Sequence, residues 1–159
     1  MLNIYRNNDP ALLYELIDLG QNGFAEISKF PKPVVMGING SCFGGGLELI
    51  LYSHYNIATD SFLTRFALPE TSVGLIPALG GTQYLPKKVG YTNAFQMIIY
   101  NREIDSNLAL KIGLVDKVVN PDNLLMNIEN KVIELHKSQG FILKSNNPVF
   151  KLNLAKYFF

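Results

Sequence analysis

Short blocks of β-branched and apolar residues alternate along this chain with stretches where apolar residues recur every three or four positions. That alternation predicts an α/β protein. Over residues 10–30, Leu12, Leu13, Leu16, Ile17 and Leu19 form one apolar stripe, predicting a helix that starts with Asp9 before Pro10 and stops at Pro31 and Pro33. Residues 33–38 (PVVMGI), bounded by Gly37 and Gly40, read as a buried strand. Gly44, Gly45 and Gly46 then turn the chain into a helix over residues 47–54. A second strand follows at residues 55–59, and residues 61–66 are a connection with room for a strand at its end. Beyond Gly80 helical patterns dominate. One helix opens at Gly81-Thr82-Gln83 and stops near Gly90, a second (93–100) is capped by Thr92, and a third is capped by Ser106 and ended by Gly113. Residues 114–119 (LVDKVV) read as a brief strand. Pro121 then starts a helix over residues 122–137 with Leu124, Leu125, Ile128, Val132, Ile133 and Leu135 on its apolar face. Residues 141–159 have no clear period and read as a linker or packing tail.

The totals narrow the picture. A chain of 159 residues, 48% hydrophobic, is long enough for one domain with a real core. Fourteen basic and 13 acidic residues leave a net charge of +1, which gives no electrostatic reason to expect a nucleic acid or a membrane surface as partner. Lys137, Lys144, Lys151 and Lys156 make the C-terminal stretch mildly basic, as a solvated tail would be. Cys42 is the only cysteine, so no internal disulfide is expected, and a reducing, cytoplasmic setting fits. The first residues lack a basic-then-apolar signal pattern, and the longest apolar run, residues 47–55, contains Glu48, Ser53 and His54.

Two carboxylates stand out against this background. Glu48 lies two residues past the triple glycine, among Leu47, Leu49, Ile50 and Leu51, while Glu70 follows Pro69. Either could simply be a first-turn glutamate that favours the helix dipole. Held together in an apolar pocket, they can do more. Burial raises a carboxyl pKa, and neighbouring carboxylates push their values apart. One can then hold a proton while the other accepts one, which suits adding or removing water. The glycines have two readings as well. They permit tight strand-to-helix packing, and they also let a carbonyl approach backbone amides at a helix start, as at an oxyanion hole. They are not a dinucleotide fingerprint, because Leu49 occupies the last glycine position. His54 and His136 lack partners at metal-ligand spacing and read as structural, and Cys42 reads as a buried small residue. Ser41 lacks the setting of a nucleophilic serine.

Three stretches resemble the enoyl-CoA hydratase/isomerase, or crotonase, family. They are PKPVVMGINGSCFGGGLEL (31–49), ALPETSVGLIPALGGTQYLP (67–86) and ALKIGLVDKVV (109–119). Within the family the chain is most similar to the hydratase modules of multifunctional fatty-acid oxidation α subunits. The resemblance implies a crotonase-like spiral of ββα units with C-terminal helices. It implies a partial hydratase domain over residues 1–140 and a tail over 141–159. Gly45, with Gly44 beside it, matches the glycines that bind the thioester oxygen. Glu48 matches the glutamate that helps activate water, and Glu70 the one that orients water and supplies the α proton. The implied substrate is a trans-2-enoyl-CoA, with no metal or redox cofactor. The implied assembly is a trimer-like homo-oligomer, or a complex with other β-oxidation subunits or with an N-terminal half. Having both glutamates favours hydration over isomerisation. Family members carry a long N-terminal half with a second oxyanion amide, and Met1 here aligns just after it. The resemblance therefore implies a truncated or split member that hydrates weakly or not at all by itself, an acyl-CoA-binding remnant being the alternative. Three departures are visible. Ala78 replaces a glycine near the acyl pocket, Tyr84 replaces an arginine that makes a structural ion pair, and Asn101 stands where glycine is common. The last is benign because asparagine tolerates left-handed backbone.

Overall fold

The computed structural model describes residues 10–138. Its first helix, α1 (Pro10–Ser28), is followed by β1 (Val35–Ile38), β2 (Ser41–Phe43) and α2 (Gly45–Ile50). Next come β3 (Tyr55–Thr59), β4 (Arg65–Ala67) and a 3-10 turn (Pro69–Val73). Two helices, α3 (Gly81–Val89) and α4 (Tyr91–Ile99), precede β5 (Ile104–Asp105), α5 (Ser106–Lys111) and β6 (Lys117–Val119). A second 3-10 turn (Pro121–Asn123) runs into α6 (Leu124–Ser138).

The first four strands are dealt alternately to two small sheets, β5 then joins the second and β6 the first. One has the order β1-β3-β6, all parallel, and the other the order β2-β4-β5, with β4 and β5 antiparallel. The chain thus makes a pair of strands, one for each sheet, then turns through helical structure and repeats the pair one layer on. Val35 lies beside Tyr55 in the first sheet and Cys42 beside Phe66 in the second. Because β2 and β4 are parallel neighbours, the segments that follow them leave the same end of the sheet side by side. Glu48 follows β2 and Glu70 follows β4, so the 22 positions between them amount to roughly one turn of the winding. Ligand sites form outside such carboxyl ends of parallel strands.

The core lies between the sheets and helices α2 to α5. Leu47, Phe66, Leu68, Leu85 and Leu114 are its fully buried centre. His54 plays the structural part expected of it: its Nδ1 accepts from the Val34 amide at 3.0 Å, and its own amide donates to the Val34 carbonyl. His136 is buried on α6. Cys42 is also buried, and loss of solvent pushes its thiol up to about 12, which leaves it inert at neutral pH.

Several elements differ from the sequence reading. Strand β2 was not predicted. The helix after the glycines begins earlier and ends at Ile50, the strand predicted over 114–119 shrinks to β6, and α4 starts at Tyr91 with Gly90 at its cap, so Thr92 lies inside the helix. For α5 the cap is Asp105, whose side chain accepts from the Leu108 amide at 2.8 Å, and Ser106 is the first helical residue. Asn120 likewise accepts from the Asp122 amide ahead of the last helix. The apolar stripe of α1 is largely exposed, with Leu19 70% accessible. This helix docks through another face: Gly20 lies against Leu79, Gln21 donates to the Ala78 carbonyl, and Phe24 packs edge-on to Tyr52. On α6, Leu124 and Ile128 cover Gly37 of β1, while Leu125 and Ile133 are exposed. Asp9 and the tail over 141–159 lie outside the described residues. No helix among the described residues is long and apolar enough to cross a membrane.

Candidate active site

Gly44 ends β2 with φ 54° and ψ −131°, backbone that side chains strongly disfavour. Its amide donates to the Ala67 carbonyl at 3.0 Å, which ties the end of β2 to the end of β4. That bond occupies the Gly44 amide, so Gly44 contributes space rather than a donor. A Cβ at this position would stand 3.0 Å from Glu70 Oε1. The missing side chain is what lets the Glu70 carboxyl lie against the glycine turn. Gly45 is the first residue of α2, so its amide has no acceptor within the helix.

Glu48 is 2% exposed, yet one of its oxygens is well satisfied. Oε1 accepts from the Leu79 and Gly81 amides, each at 2.8 Å. Burial raises its pKa above the ordinary value, the Gly81 and Leu79 amides pull it back down, and the charge of Glu70 raises it again. Glu70 sits in the first turn of Pro69–Val73, as the sequence predicted. Its Oε2 is buried with no hydrogen-bond partner, and burial is the main cause that raises its pKa. An unpartnered buried carboxyl oxygen is costly, so it calls for a functional explanation. The turn that carries Glu70 is fixed from behind. Thr71 Oγ1 lies within hydrogen-bond distance of Ile98 O and Asn101 Oδ1, at 3.0 and 2.6 Å, and shares its single proton between them. Asn101 has φ 51°, the one positive φ outside glycine among the described residues, in keeping with the glycine-like role read from the sequence.

The structure therefore gathers Gly44, Gly45, Glu48 and Glu70 at one end of the second sheet. One carboxylate is anchored by backbone amides and the other has a free oxygen. Such a pair can polarise a water and exchange a proton with it. Sequence reasoning missed three participants: the Leu79 and Gly81 amides, and Tyr52, whose hydroxyl donates to Leu79 O at 2.8 Å. The only available signal was the Gly80-Gly81 pair. Of the departures, Tyr84 packs at a tilt against Tyr52 with ring centroids 4.6 Å apart and lies under Lys87, so aromatic contacts occupy the position where the sequence reading has the family's ion pair lost. Ala78 offers its carbonyl to Gln21 at 2.6 Å.

In this α/β winding a buried Glu48 and a half-buried Glu70 meet beside a glycine turn. The sequence profile of the enoyl-CoA hydratase/isomerase family matches residues 5–149, and the chain belongs to that family. It is 40% identical over 121 residues to the fatty acid oxidation complex subunit alpha of Vibrio parahaemolyticus, and 41% identical over the same length to that of Vibrio campbellii. Each match takes in 76% of this chain and 17% of the relative. Among solved structures, Pseudomonas aeruginosa DspI superposes with a TM-score of 0.77 at 34% identity, over 86% of this chain and 55% of that one. An enoyl-CoA hydratase/isomerase from Cupriavidus metallidurans gives 0.77 at 28% identity, over 84% and 51%. The fold is thus crotonase-like, and the chain spans about half the length of these solved structures.

Proposed function

We propose that the site hydrates a trans-2-enoyl-CoA thioester to the 3-hydroxyacyl-CoA. The observation that carries this reading is the unequal pair of carboxylates. Glu48 is pinned by two amides, and Glu70, whose Oε1 lies against Gly44, keeps a buried, unpartnered Oε2. In this reading the Gly45 amide takes the thioester oxygen and stabilises the charge that develops as water adds at the β carbon. Glu48 holds the water and Glu70 delivers a proton to the α carbon, regaining one from the water. The partner is an acyl-CoA, and the relatives' names favour work within a fatty-acid oxidation assembly.

Double-bond isomerisation is the second reading, favoured by the fact that Glu70 has the only buried, unpartnered carboxyl oxygen among the described residues. Product analysis separates the two. Incubation with crotonyl-CoA is expected to give 3-hydroxybutyryl-CoA, at the low rate the sequence reading allows this chain by itself. Conversion of a 3-enoyl-CoA to its 2-enoyl isomer without hydration of crotonyl-CoA would support isomerisation.

A further inference from the structure

Glu48 and Tyr52 are four positions apart and reach the same turn from one side of the α2 segment. They hold that turn at opposite poles. Glu48 Oε1 takes the amides of Leu79 and Gly81, while the Tyr52 hydroxyl donates to the Leu79 carbonyl at 2.8 Å. Tyr52 is 4% exposed and is itself held by Phe24 from α1 and Tyr84 from α3. Its hydroxyl occupies the space that a side chain at residue 80 would need: a Cβ on Gly80 would stand 2.1 Å from the hydroxyl oxygen, and Gly80 has φ 110°. The conformation of the turn and the position of the hydroxyl therefore require each other.

We propose that Tyr52 is a positioning residue for Glu48, fixing the Leu79–Gly80–Gly81 turn so that two amides converge on one carboxylate oxygen. The catalytic consequence rests on the acid/base reading above, but the structural coupling does not. A carboxylate that accepts two amides is held in its charged form and in a single orientation. Without the phenolic O–H, the Leu79 carbonyl loses its partner, the turn relaxes, and the amides slacken on Glu48. The titratable groups that face Glu48 are Glu70, from the turn after β4, and Tyr52 itself.

The test is Tyr52→Phe, which keeps the ring and its packing. In carbon-13 NMR of the glutamate carboxyls, with Glu48 assigned through Glu48→Gln, the Glu48 midpoint is expected to move upward. The Leu79 and Gly81 amide protons should move upfield. Ile57→Val, which loosens the buried sheet away from the turn, should change neither. An unshifted Glu48 midpoint in Tyr52→Phe, or an equal shift in Ile57→Val, overturns the proposal. With crotonyl-CoA, Tyr52→Phe should lower kcat by about 3- to 10-fold, as expected for one lost hydrogen bond, with KM little changed. Absence of hydration by the wild-type chain would count against the functional reading, and the titration would still decide the positioning role.

Discussion

Glu70→Gln is expected to lower hydration of crotonyl-CoA by about 10²–10⁴-fold, the usual range for removing a positioned proton donor or acceptor. The same change should raise the melting temperature at pH 8. The two effects have one cause. Glu70 is half-buried with one carboxyl oxygen enclosed and unpartnered, and burial lifts its pKa above the ordinary 4.5. A group whose folded pKa is raised favours the fold in its protonated form. That contribution is fully present below the unfolded value and is lost as pH rises through the folded one. Wild type should therefore lose stability relative to Glu70→Gln as pH climbs from 4.5. Thermal melts of both proteins between pH 4 and pH 8 check the divergence, and parallel curves would contradict it. A glutamate with a merely structural role would show the opposite pairing, with activity kept and stability lost on substitution.

The second large effect concerns the scaffold. Phe66 is fully buried at the centre of the second sheet, beside Cys42 of β2 and Ile104 of β5. Through β4 it sets the start of the Glu70 turn, and through β2 it sets the glycine turn. Phe66→Ala is expected to cost about 3–5 kcal/mol, from the lost burial and the cavity left behind. Against typical stabilities of about 5–15 kcal/mol, that is a large share. Urea unfolding should show a much lower midpoint with an unchanged slope. A loss below about 1 kcal/mol would mean that the two strands are not held as described.

Much of this arrangement was legible in the residues. Strand β3 was read to the residue, as the short segment YNIAT between the polar His54 and Asp60. The left-handed position of Asn101 fits the resemblance, in which glycine is common there, and asparagine's tolerance of that backbone. The two glutamates stood out because charge in apolar company is rare. Other features left no trace. Strand β2 is three residues long with only Cys42 buried, too short for a period to show. At α5 two capable caps, Asp105 and Ser106, are adjacent, and only geometry picks the first. The exposed stripe of α1 reads like a buried one, because periodicity reports an apolar face and not what covers it. The donors to Glu48 are backbone amides of Leu79 and Gly81, and a backbone donor has no residue-type signature. Gly44 looked like a donor until the Ala67 carbonyl was found to occupy its amide.

A double-mutant cycle tests most directly whether both carboxylates serve one water. Hydration rates would be compared for wild type, Glu48→Gln, Glu70→Gln and the double variant. Groups that act as a unit are grossly non-additive. The double variant should therefore be about as slow as the slower single one. Losses that multiply, or a single variant that keeps the wild-type rate, would show that the two glutamates do not work on the same water.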